Sequence, residues 1–180
     1  MIPKHKIHTG DILLVNSKSF LSKSIRYFMD ILRKKKKIPK QWIGSHAGTF
    51  IWLNGDLFVA ESVKNGFRID LFERHYGTMT DFQIRRPSKP YSPDEEDMVF
   101  DKSFKLQEIS DTYQFWNFIQ WIFYILLGIN IFGKGGSNIT YCYESTRRIR
   151  QYVRRDEFPI NPEMTSYFDV IENTILIMEG

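Results

Sequence analysis

The dipeptide Asn54-Gly55 sits between two strand-like runs, His46 to Leu53 and Asp56 to Ser62. Asn-Gly suits a type I′ turn, whose twist matches that of two antiparallel strands. With a two-residue loop, Leu53 faces Asp56, Gly48 faces Glu61 and His46 faces Val63. His46 and Glu61 are then diagonal neighbours on one face of the hairpin. One short turn therefore brings an imidazole and a carboxylate together.

The rest of the chain predicts an α+β fold in a single domain over 1–180. Gly10-Asp11 leads into Ile12-Leu13-Leu14-Val15, a buried strand entered through a Gly turn. Ser17 or Ser19 caps a helix whose Phe20, Leu21, Ile25, Phe28, Met29 and Leu32 recur at helical spacing, and which stops near Pro39. Asn65-Gly66 makes a second turn into Phe67–Leu71, and Phe82–Arg86 is a further strand closed by Pro87. These strands read as an antiparallel meander. Ser92-Pro93, followed by Asp94, Glu95 and Glu96, starts another helix.

Phe115 to Phe132 is almost wholly apolar, but Asn117, Gln120 and Asn130 interrupt it. Its continuous core falls short of the roughly 20 residues that span a bilayer, which favours a buried or surface-groove helix. Gly133 to Asn138 is a loop without phosphate-cradle spacing. A helix starts close to Cys142 and carries an arginine cluster to about Arg155. Pro159 and Pro162 then break the chain, and Ile171 to Met178 reads as a last strand.

Composition narrows the function classes. Hydrophobic residues make up 42% and aromatics 16%, enough for a packed core rather than a disordered chain. Cys142 is the one cysteine, so no intramolecular disulfide forms, and the four histidines lack metal-ligand spacing. No metal or cofactor is expected. The net charge of +4 is concentrated in Arg33–Lys37 and in Arg147, Arg148, Arg150, Arg154 and Arg155. Both blocks read as solvated surfaces, and Arg33–Lys37 suits contact with an anionic surface. Neither accompanies a nucleic-acid-binding signature, so no specific nucleic acid is expected. Met1–Lys6 has positive charge without a following apolar stretch, so the given chain reads as having no secretory signal. A cytoplasmic location is the default expectation, with envelope association as the alternative.

Cys142 follows the Gly-rich loop and opens a helix, where unpaired N–H groups and the helix dipole favour the thiolate. If Glu61 accepts one N–H of His46, the other ring nitrogen is free to serve a thiol. That is the nucleophile, base and orienter logic of cysteine hydrolases. Spacing alone does not bring Cys142 to His46, and His5, His8 and His75 remain rival bases.

The chain resembles the circularly permuted papain-like amidases, the YaeF/YiiX group of the NlpC-type superfamily. The likeness lies in ordered motifs: Gly10-Asp11-Ile12-Leu13, Ser45-His46-Ala47-Gly48, Ala60-Glu61-Ser62, Phe67-Arg68-Ile69 and Gln83-Ile84-Arg85-Arg86. Asp111-Thr112-Tyr113 and Tyr141-Cys142-Tyr143-Glu144-Ser145 follow, then the proline-bearing tail. The resemblance covers nearly the whole chain. It implies a permuted papain-like core, with an antiparallel sheet or small barrel packed against the cysteine helix. It also implies Cys142 as nucleophile, His46 as base and Glu61 as the third polar residue. Ser45, Tyr113, Tyr141 and Tyr143 are the candidate oxyanion and substrate-binding residues. Tyr143 stands where the family commonly has a small residue, a change expected to narrow the pocket or reshape the oxyanion site.

The expected activity is cleavage of an amide or ester bond in a small peptide, an amino-acid amide or a lipid-like substrate. Two alternatives stand beside it: a thiol acyltransferase on lipids, and an inactive ligand-binding module of the same fold.

Overall fold

Strand β1 (Ile12–Val15) lies inside a sheet with helices and loops on both faces, and all four of its residues are buried. Ile12 and Leu14 point into one core cluster with Ile25, Met29 and Tyr143. Leu13 and Val15 point the other way, toward Phe50, Phe72 and Phe82. This alternation is what an uninterrupted apolar strand requires, since successive side chains leave opposite faces. The computed structural model describes residues 3–63, 65–109, 142–154 and 166–180.

Around β1 run β2 (His46–Leu53), β3 (Asp56–Val63), β4 (Gly66–Leu71), β5 (Phe82–Pro87) and β6 (Thr174–Glu179). They form a six-stranded sheet in the order β4-β3-β2-β1-β5-β6. Every neighbouring pair is antiparallel. Among the described residues no pairing joins β4 to β6, so the sheet is open rather than closed into a barrel.

The first hairpin has the register that Asn-Gly dictates: Leu53 pairs with Asp56, and the ladder continues to Thr49 and Ala60. Asn54 and Gly55 both have positive φ, at 52° and 85°. The second turn falls one residue earlier than expected. Val63 pairs with Gly66, which is the first residue of β4 and takes φ of 109°. That conformation suits glycine alone among the residues here.

The expected meander ends at β4. A short helix, α2 (Phe72–Tyr76), follows it, and β5 crosses the sheet to the free edge of β1. Burial explains the crossing, because Phe82 and Ile84 join Leu13 and Val15 in one cluster. Arg86 on β5 also clamps the buried Asp11, with Nε and Nη2 at 2.8 and 2.7 Å from its two oxygens.

Helix α1 (Phe20–Lys35) is capped by Ser19, whose Oγ accepts the N–H of Ser22 at 3.1 Å. Helix α3 (Pro93–Ile109) begins with a reciprocal cap between Ser92 and Glu95. Helix α4 (Cys142–Val153) packs against β2, β3 and α3. Helix α5 (Tyr167–Ile171) takes up the start of the segment expected to be strand, because Ser166 and Asp169 form a capping box there. The last strand accordingly begins at Thr174.

The arginines of α4 are not the solvated face that their charge suggests. Arg147 and Arg150 are fully buried. Arg147 donates to the carbonyl of Asp169 and Arg150 to those of Val170 and Glu172. The carbonyls that end a helix have no partner within it, and guanidinium donors satisfy them. Arg154 pairs with Glu95 and donates to the carbonyls of Lys89 and Pro90. The apolar segment 115–132, the loop 133–138, Arg155 and the prolines at 159 and 162 lie outside the described residues. No described helix is long and apolar enough to cross a membrane.

Candidate functional site

Five elements supply side chains at one end of the sheet. Strand β2 begins at His46, directly across from Val15 at the end of β1. Near the end of β3 stands Glu61, which pairs across the next ladder with Arg68 on β4. Tyr76 comes from α2 and Cys142 is the first residue of α4.

Glu61 is the hub. Its carboxylate is buried, with 1% of the side chain exposed. His46 Nε2 lies 2.5 Å from Oε2, and the Tyr76 hydroxyl donates to that same oxygen. Arg68 takes Oε1 with both Nε and Nη2, at 2.9 and 2.6 Å. Burial alone would raise the carboxyl, but its bonds to His46, Tyr76 and Arg68 hold it down at about 2. Glu61 therefore stays ionised across the physiological range.

Burial disfavours a charge on His46. The charge and hydrogen bond of Cys142, followed by those of Glu61, outweigh it and raise the imidazole to about 10. Since Nε2 is engaged by Glu61, Nδ1 is the ring nitrogen left for the sulfur. Burial and the Glu61 charge both push the Tyr76 phenol upward, so it remains a neutral donor.

Helix α4 sets the sulfur. Cys142 is buried at the helix start, where N–H groups lack intrahelical acceptors and the dipole favours negative charge. Ser145 and Thr146 donate to its carbonyl at 2.9 and 3.1 Å, which fixes the first turn.

The thiol and imidazole line a cavity of about 580 Å³. Leu21, Ile25, Val15 and Val63 form its apolar part. Ser17, Ser19, Ser22, Ser45 and Ser62 bring hydroxyls. Ser45 is buried, accepts from Ser22 at 2.5 Å and donates to the Val15 carbonyl at 3.2 Å.

The expected residues do not all converge. Cys142, His46, Glu61 and Ser45 meet at the cavity or directly behind it. Tyr143 points elsewhere: its hydroxyl donates to the Gly44 carbonyl and its ring packs on Tyr167 in the core. It neither lines the cavity nor narrows it. Tyr113 and Tyr141 lie outside the described residues. Among the rival bases, His75 pairs with Asp70 at 2.7 Å, and none of His5, His8 and His75 lines the cavity. Among the described residues no group of three or more His, Cys, Asp and Glu gathers as a metal site.

Sequence reasoning passed over Arg68 and Tyr76 as members of the site. Arg68 was legible in principle, since placing Gly66 at the start of β4 puts it opposite Glu61. Tyr76 had no such signal, because the polar run Glu73-Arg74-His75 before it shows no helical periodicity.

An antiparallel sheet of six strands, with a cysteine-bearing helix packed on its middle, defines an α+β fold shared with a solved protein. That structure is the metalloprotein yiiX from Escherichia coli O157:H7, of the DUF1105 group. The superposition has a TM-score of 0.63 and covers 96% of this chain and 97% of that one, at 14% identity. The chain thus has the yiiX-like fold. No protein-family model matches it, nor does the sequence of any curated protein.

Proposed function

We propose that this protein is a cysteine hydrolase that cleaves an amide or ester bond through a thioester on Cys142, within a permuted papain-like core. One observation carries the reading. Cys142 and His46 line one cavity, the charge of Cys142 raises the His46 imidazole, and Nε2 of that ring is held by a buried, ionised Glu61. The order along the chain, histidine before cysteine, is the permuted one.

The steps follow from this geometry. His46 takes the thiol proton of Cys142, the sulfur attacks the substrate carbonyl carbon, and the oxygen takes up negative charge beside the N–H groups at the start of α4. Collapse breaks the C–N or C–O bond, and His46 gives its proton to the leaving amine or alcohol. The acyl group is now a thioester. His46 then takes a proton from water, the resulting hydroxide attacks the thioester carbonyl, the C–S bond breaks, and the carboxylic acid leaves with Cys142 restored as a thiolate beside the imidazolium. Glu61 keeps the ring turned toward the sulfur and stabilises the imidazolium throughout.

The yiiX neighbour is called a metalloprotein, but the residues of this site do not suit a metal. The cationic place on Glu61 is filled by the Arg68 guanidinium, and His46 Nε2 is committed to the same carboxylate. The mechanism runs through no metal.

The test is trapping of the intermediate. A panel of acyl amides and activated esters is incubated with the protein, and the intact mass is followed by peptide mapping. The expected result is a transient acyl adduct on Cys142 that is lost in Cys142→Ala. An absence of adduct and of turnover across the panel contradicts the proposal.

A further inference from the structure

Helix α1 forms one wall of the cavity, and its two faces differ. Ser22, Ile25 and Met29 are buried, and Ser19, Leu21, Ser22 and Ile25 line the cavity. On the outer side Phe20 is 86% exposed and Tyr27 65% exposed, seven positions apart and so nearly one above the other. Neither ring belongs to a hydrophobic core cluster of the described residues. The charge around them is one-sided. Residues 17–41 hold nine Lys and Arg and one acid, Asp30. Asp30 is already engaged by Arg33 and Lys34.

We propose that the outer face of α1 is a docking surface for an anionic lipid membrane, on which Phe20 and Tyr27 insert at headgroup depth while the lysines meet lipid phosphates and carboxylates. This pairing of exposed aromatics with a basic helix end is the physics of an interfacial helix. The helix lies along the surface, and no described helix is long and apolar enough to cross it. Leu21 joins the two sites, since it is half-exposed and also lines the cavity. A lipid-borne acyl amide or ester therefore has a short apolar path from the membrane to Cys142. That substrate class rests on the hydrolase reading; the docking surface does not.

The test is co-sedimentation with vesicles of phosphatidylcholine containing phosphatidylserine, and with phosphatidylcholine alone. The full chain is expected to bind the anionic vesicles, less so as salt rises, and the neutral ones weakly. Lys34→Glu with Lys35→Glu should weaken binding by more than about tenfold. Phe20→Ser with Tyr27→Ser should weaken it comparably, with melting temperatures unchanged because these side chains are exposed. Phe20→Trp adds an indole whose emission should shift to the blue on anionic vesicles. Cys142→Ala should bind as the wild type does. Failure to bind vesicles overturns the proposal, as does binding untouched by both double variants. Retention of single-stranded RNA without vesicle binding also overturns it and makes the patch a nucleic-acid surface. Vesicle binding without any Cys142 adduct leaves docking standing and removes the hydrolase reading; the converse removes docking alone.

Discussion

Arg68 stands directly across the β3–β4 ladder from Glu61 and closes on one oxygen of its carboxylate, leaving the other to His46 and Tyr76. A carboxylate in the core is costly unless paired and hydrogen-bonded. Here the pairing also fixes which oxygen meets the imidazole. Arg68 acts through Glu61 and is a positioning residue.

Arg68→Ala should lower kcat by about tenfold or more while moving KM little, since Arg68 does not line the cavity. The alkaline limb of the pH–rate profile should move to higher pH, because without the Arg68 charge the Glu61 carboxylate acts on the imidazolium alone. Arg68→Lys should recover part of the rate, though a lysine cannot reproduce the two-nitrogen grip. An unchanged pH profile would reduce Arg68 to a structural role.

The same network sets how stability responds to acid. Glu61 is held at about 2 in the folded protein against an ordinary 4.5. Its contribution is therefore complete above about pH 4.5 and is lost as the pH falls toward 2. His46 is raised from 6.5 to about 10, so its contribution is complete below 6.5 and fades as the pH rises through 10. Urea unfolding across pH should show the acid loss in the wild type and little of it in Glu61→Gln. That variant should be less stable at neutral pH by on the order of 3 kcal/mol, since it leaves Arg68 without its partner.

Gly48 is where backbone and site meet. A Cβ there would lie 2.5 Å from Val59 Cγ1 and 3.4 Å from Glu61 Cβ. Val59 is buried and β-branched, so its side chain has few rotamers to move into. Gly48→Ala should cost about 1–3 kcal/mol and reduce turnover by displacing β3. A melting curve and a rate measurement check both, and wild-type values in the two would contradict the packing described.

Tyr143 gives the opposite test. Its hydroxyl serves the Gly44 carbonyl in the core. Tyr143→Phe should lose about 1–2 kcal/mol of stability through that orphaned carbonyl, read as a melting temperature lower by roughly 2–8 °C. Turnover should stay near the wild-type level. A large loss of kcat at unchanged stability would place Tyr143 in the chemistry after all.

The sequence made the hairpin legible because Asn54-Gly55 leaves one choice of turn, and with it the nearness of His46 to Glu61. A cap at Ser17 or Ser19 was readable because short polar side chains favour helix starts, and the structure uses Ser19. What the sequence hid depended on distant partners. The crossing of β5 to β1 follows from burial of Phe82 and Ile84, a property of the assembled sheet. Arg147 and Arg150 looked like surface charge, and only the arrival of α5 gives them carbonyls to bind. Tyr143 looked like a neighbour of the nucleophile, but helical geometry turns adjacent side chains onto different faces.

The central claim is that His46 activates Cys142. The most direct measurement is the rate of iodoacetamide alkylation across pH in the wild type and in His46→Ala, and with one cysteine in the chain the readout has a single source. The account predicts rapid alkylation of the wild type in mildly acidic to neutral solution, and in His46→Ala a rate at least about tenfold lower there that recovers only in alkaline solution. Equal rates in the two proteins, or a Cys142 inert at every pH, would contradict it.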